Sequence, residues 1–131
     1  MEQQRRLWQH AAFLALLWLA SAGAIAFFAR GGVAAGLWGG WATGCVAGAA
    51  TFALLVWSAR RSLREVLGAA AGGFLFRMAL LAFGLVAAVR SGASPVWFSA
   101  GFFGVYLPSQ AIEVSIASSI FRQLSPVTER A

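Results

Sequence analysis

The sequence has little of what enzymes and metalloproteins use for chemistry. It contains no lysine and no asparagine, one cysteine and one histidine, and charged residues make up 11% of its 131 positions. A single cysteine excludes an internal disulfide, and His10 has no second ligand at a spacing that suits a metal. No nucleophile lies beside a base, and no phosphate-binding glycine loop follows a strand. We therefore predict no enzyme, no cofactor and no metal site.

Apolar sequence dominates instead, because 60% of the residues are hydrophobic. Four apolar stretches follow one another, and each exceeds the roughly 20 residues that cross about 30 Å of hydrocarbon as a helix. The sequence predicts an all-α membrane protein, a single transmembrane domain over residues 1–131 with four helices in a small bundle. The predicted spans are residues 7–28, 33–57, 66–89 and 96–120.

Arginines outside the apolar stretches are distributed unevenly between the two predicted sides of the membrane. Seven lie on one side and two on the other, which is the positive-inside pattern. We expect both termini in the cytoplasm, and we assign the net charge of +6 to orientation and contact with membrane lipids, with no nucleic-acid partner. The seven are Arg5, Arg6, Arg60, Arg61, Arg64, Arg122 and Arg130, and the two are Arg30 and Arg90.

Glycines recur at every fourth position along the second apolar stretch. No hydrophobic force drives helices together inside a membrane, so glycine helps association by letting two backbones approach closely. The stripe predicts a close helix contact, either inside the bundle or with another subunit. A homo-oligomer is one of the open alternatives. The stripe consists of Gly32, Gly36, Gly40, Gly44 and Gly48.

Only two residues that ionise fully at neutral pH lie inside the four stretches, Arg77 and Glu113. A charge at bilayer depth costs at least about 2.5 kcal/mol on insertion scales, so it is rarely without a role. Tyr106, Gln110 and Glu113 share one helix face, because steps of four and three residues return to the same side. Three interpretations stay open: an internal Arg77–Glu113 pair, a pair between Arg77 and a carboxylate of another membrane subunit, and a substrate or ion pathway.

Three segments give the chain a recognisable layout: GLWGGWATGCVAGAATFALLVWSAR in the second span, GGFLFRMALLAFGL in the third and LPSQAIEVSIAS in the fourth. Over roughly residues 7–120 the chain resembles the ATP synthase subunit I family, small bacterial membrane proteins with four spans. Arg77 matches the basic residue of the family's third span. Glu113 departs from the family pattern.

The resemblance implies a multi-pass accessory protein of the bacterial inner membrane that assists assembly of the c-subunit ring of the F-type ATP synthase. Its implied partners are c subunits or other subunits of the membrane sector, and Arg77 is the one residue that the resemblance assigns to partner binding. The glycine stripe is a further candidate partner-binding surface, because its groove could match the glycine-rich helix of a c subunit. A role in magnesium supply has also been suggested for the family, so a small ion channel or transporter is the alternative function.

Other classes of small membrane protein fit less well. Small multidrug transporters carry an essential Glu in the first span, and residues 7–28 contain no acid. A small dimeric fluoride channel needs an Asn-containing pore helix, and the chain has no Asn. A phage holin would match the size and charge but would not explain Arg77.

Overall fold

The computed structural model describes residues 1–124, and these form four α-helices and no β-strand. Each helix contains one of the predicted apolar stretches and extends beyond it by one or more residues. Arg130, one of the arginines assigned to the cytoplasmic side, lies outside the described residues. The helices are α1 (Glu2–Phe28), α2 (Gly32–Ser58), α3 (Leu63–Arg90) and α4 (Pro95–Leu124).

Three of these helices are long and apolar enough to cross a membrane, which indicates a membrane protein. They are Gln4–Phe28 within α1, then α2 and α3. α4 has 30 residues and is longer than the others, but polar side chains such as Gln110 and Glu113 make it less apolar. Membrane crossing by α4 and the cytoplasmic position of both termini stay predictions.

The connections between helices are short, and two of them turn at a glycine. Gly31 and Gly92 have φ values of 66° and 77°, a region that side chains with a Cβ rarely adopt. Pro95 opens α4, where its missing N–H costs no helical hydrogen bond. Because each connection is only a few residues long, consecutive helices run antiparallel.

α2 lies at the centre of the bundle and contacts the other three helices. α1 packs at the edge against α2 and α4, and Leu14 is its one buried residue among the side chains described there. Two tryptophans hold α1 in place: Trp18 Nε1 donates to Ser109 Oγ of α4 at 3.3 Å, and Trp41 Nε1 of α2 donates to Ser21 Oγ at 2.9 Å.

The interior has two apolar layers with a polar layer between them. One layer lies at the end of the bundle where α2 finishes and α3 begins, and consists of Leu55, Val66, Ile116 and Ile120. The other lies toward the start of α4, where the buried side chains are Phe98, Phe102 and Val105. The polar layer between them contains the two charged residues that the sequence places inside the spans.

Candidate functional site

Arg77 and Glu113 form an ion pair in the polar layer, from α3 and α4 respectively. Both residues are buried, with 3% and 6% of their surfaces exposed. Arg77 Nη2 donates to Glu113 Oε2, and Nη1 donates to the Gln110 side-chain oxygen. Of the three interpretations that the sequence left open, this geometry corresponds to the internal pair.

Thr51 joins α2 to the pair, and sequence analysis did not identify it. Its hydroxyl accepts a hydrogen bond from Arg77 Nη2. Three acceptors lie within reach of its one proton: the Ala47 carbonyl at 2.8 Å, Glu113 Oε1 at 2.9 Å and the Gly48 carbonyl at 3.1 Å. One signal could have revealed it, because Thr51 lies seven residues after Gly44 and therefore on the face of α2 that carries the glycine stripe.

Tyr106, predicted as part of the polar face, contributes its aromatic ring to the site. The Arg77 guanidinium carbon lies 5.3 Å from the ring centroid, within the range of a cation–π interaction. The ring stacks on Phe102, with centroids 5.7 Å apart. The structure therefore brings together all four predicted intramembrane polar residues: Tyr106, Arg77, Gln110 and Glu113.

The charges of the site cancel, but one hydrogen-bond donor has no partner. Placing two charges in a medium of low polarity is costly, and mutual attraction offsets that cost only with good geometry and further hydrogen bonds. Thr51 and Gln110 supply such bonds. Arg77 Nε is buried and, among the described residues, has no acceptor. An unsatisfied buried donor costs about 1 to 3 kcal/mol, so the network is incomplete.

A cleft of about 90 Å³ lies beside the pair, along the seam between α3 and α4. Its floor is polar, formed by Thr51, Arg77, Gln110 and Glu113. Its rim is apolar and faces outward, because Phe74 and Val114 are 51% and 55% exposed. The cleft therefore opens sideways from the bundle. The remaining lining residues are Leu55, Ala69, Ala70, Gly73 and Ala117.

Gly73 lies one turn from Arg77 and controls how closely α3 approaches α2. A Cβ at this position would lie 2.9 Å from Thr51 Cγ2, closer than carbon atoms pack. The missing side chain leaves room beside the Arg77 guanidinium. In the structure Thr51 uses that room, which lets its hydroxyl reach both members of the pair.

The glycine stripe of α2 packs mainly against α4. A Cβ on Gly40 would overlap the Phe98 carbonyl oxygen and lie 2.7 Å from Phe102 N. Gly36 and Gly44 meet α4 in the same way, with nearest atoms at 2.9 and 3.3 Å. Gly48 instead faces the Trp18 ring of α1 at 3.0 Å, and Gly32 has open space around it.

Packing within the chain explains most of the glycine stripe. Four of its members, Gly36, Gly40, Gly44 and Gly48, are buried. The structure thus uses these four glycines for internal packing, and we do not carry them forward as a partner-binding surface.

No family model, curated protein or solved structure matches this chain. The resemblance to the ATP synthase subunit I family therefore rests on the three sequence segments alone.

Proposed function

We propose that this chain is an accessory protein of the bacterial F-type ATP synthase that assists assembly of the c-subunit ring in the inner membrane. One observation carries the proposal: the buried Arg77–Glu113 pair forms the floor of a cleft that opens sideways between α3 and α4. A site reached from the side is suited to a neighbouring membrane helix. The proposal includes a cytoplasmic location for both termini.

The surface of α3 beside the cleft supports a helix contact. Gly68 and Gly72 are exposed, and an added Cβ at either position would meet nothing within 4 Å. These two glycines are one turn apart and lie toward the same end of α3 as the cleft. They leave a flat strip on which a second backbone can approach closely. We define this strip, together with Phe74 at the cleft rim, as the α3 face.

In this proposal Arg77 takes part in recognising a partner helix and has no role in transporting an ion or substrate. The pair is neutral overall, so Arg77 needs no partner carboxylate to balance its charge. The cleft still presents a polar floor, to which a polar side chain of a docked helix can hydrogen-bond. c subunits and other membrane-sector subunits, the partners implied by the resemblance, consist largely of such membrane helices.

The alternative, a small ion or magnesium channel, is less well supported by the interior. A conduit needs a polar path from one membrane surface to the other. Among the described residues the polar layer lies between two apolar layers, represented by Val66 and Ile116 on one side and Phe102 on the other. A magnesium ion at Glu113 would also lie against the positive charge of Arg77.

The proposal is tested by blocking the α3 face without disturbing the bundle. We expect Gly72→Leu to lower copurification of c subunits by about tenfold or more, because it fills the strip where the backbones would meet. Gly104→Leu on α4 is the matched control, since Gly104 is also exposed and has nothing within 4 Å of an added Cβ. The proposal fails if c subunits do not copurify with the unmodified chain, or if both variants retain them equally.

A further inference from the structure

Two clefts flank Val56 and Arg60 near the C-terminal end of α2. The first is an open surface groove along the outside of α2, lined by Phe52, Ala53, Val56, Trp57 and Arg60. The second, about 240 Å³, lies between α2 and the start of α1, and is lined by Met1, Gln4, Leu7, Val56, Ala59 and Arg60. Arg60 is therefore the basic residue common to both clefts.

Among the described residues, no acidic side chain pairs with Arg60. Six arginines of the described residues lie at this end of the bundle, and two glutamates accompany them. The arginines are Arg5, Arg6, Arg60, Arg61, Arg64 and Arg122. Glu2 pairs with Arg6 at 3.6 Å, and Glu65 pairs with Arg61 at 3.7 Å. Within the described part of the chain Arg5, Arg60, Arg64 and Arg122 then have no acidic partner. Of these four, Arg60 lines the clefts.

Trp57 marks the depth of this region. Its ring is 55% exposed and lies under the Arg61 guanidinium, whose carbon is 3.9 Å from the ring centroid. Amphipathic indoles are enriched at the level of the lipid head groups. From Ser58, the last residue of α2, to Phe52 the helix advances about 9 Å at 1.5 Å per residue. The first cleft thus extends from head-group level into the depth of the acyl chains.

We propose that Arg60 binds the phosphate of one anionic phospholipid, with the head group at the second cleft and an acyl chain in the first. The guanidinium donates to phosphate oxygens, while Phe52 and Ala53 provide apolar contact beside Val56. An anionic head group fits better than a zwitterionic one, because arginines outnumber glutamates at this end among the described residues. This lipid site is independent of the proposed role in ATP synthase assembly.

The test measures lipid binding to the full-length protein in detergent by native mass spectrometry. Phosphatidylglycerol is the probe, phosphatidylcholine the zwitterionic comparison, and inorganic phosphate the competitor. We expect Arg60→Gln to weaken phosphatidylglycerol binding about tenfold or more, because it removes a charge-assisted contact. Arg64→Gln, the matched control, removes an unpaired arginine outside the clefts and should weaken binding no more than about fivefold.

A second variant tests the first cleft, which holds the acyl chain in this proposal. Ala53 is exposed, so Ala53→Trp fills the first cleft without entering the core, and we expect it to weaken phosphatidylglycerol binding while leaving thermal stability unchanged. Equal losses in Arg60→Gln and Arg64→Gln would indicate diffuse surface attraction and overturn the site. Equal binding of phosphatidylcholine, or full competition by millimolar phosphate, would also overturn it.

Discussion

Arg77 and Glu113 are 36 residues apart in the sequence and form a buried ion pair between α3 and α4. Counted along the helices, Glu113 lies roughly one to two turns from the depth of Arg77, about 6 to 9 Å. The long arginine side chain spans that difference. Its planar guanidinium also presents several donors at once, which is why Thr51 and Gln110 bind it together with Glu113.

The pair predicts strong coupling between two substitutions. We expect Arg77→Leu and Glu113→Leu each to lower the free energy of unfolding by about 3 to 5 kcal/mol, because each leaves the other charge buried and alone. The double variant should lose much less than the sum. Unfolding in lipid or detergent measures the cycle. Arg6→Leu is the control, since it breaks the exposed Arg6–Glu2 pair and should cost at most about 1 kcal/mol. Additive losses would contradict a direct pair.

Thr51 offers a test of the hydrogen-bond network apart from the charges. Thr51→Val keeps the shape and removes the hydroxyl that serves Arg77 and Glu113, so we expect a loss of about 1 to 3 kcal/mol in unfolding free energy. Thr43→Val on the same helix is the control, because the Thr43 hydroxyl bonds only to the Gly39 carbonyl, at 2.8 Å. If the two variants are equally stable, Thr51 contributes no more than a local helix bond.

The α2–α4 seam predicts opposite effects for two Gly→Ala substitutions. Gly40→Ala places a Cβ against the Phe98 carbonyl, and we expect a loss of at least about 1 to 3 kcal/mol because backbone atoms cannot move aside cheaply. Gly68→Ala meets nothing within 4 Å and should stabilise the protein by about 0.5 to 1 kcal/mol through helix propensity. Thermal unfolding of both variants measures these changes in stability. Equal melting temperatures would contradict the seam.

Topology is testable with single cysteines in a Cys45→Ala background. Ser62 and Ser91 are exposed residues in the α2–α3 and α3–α4 connections, at opposite ends of α3. From the arginine distribution we expect a membrane-impermeant maleimide added to intact cells to label Ser91→Cys but not Ser62→Cys. Labelling of Ser62→Cys alone would invert the predicted orientation, and labelling of both would show that the α3 segment does not separate two compartments.

Pattern alone was sufficient for the helices and for the polar face of α4. Runs of apolar residues longer than a membrane crossing have few alternatives to a helix, because backbone groups in hydrocarbon must bond within their own segment. Residues 66–89 fall inside α3, which adds only a few residues at its ends. The position of Tyr106, Gln110 and Glu113 on one face likewise follows from helical periodicity.

Only the tertiary structure decided which partners these residues use. Gly40 and Gly68 belong to similar small-residue patterns, yet one is enclosed by α4 and the other is open. Each of the two has another glycine four residues away, so local spacing does not distinguish them. Their surroundings differ because the connections bring some helix faces together and leave others open. The same holds for Arg77, whose choice of Glu113 and recruitment of Thr51 depend on Gly73 bringing α3 close to α2. Sequence periodicity determines the face of a helix, whereas the relative placement of helices determines what that face touches.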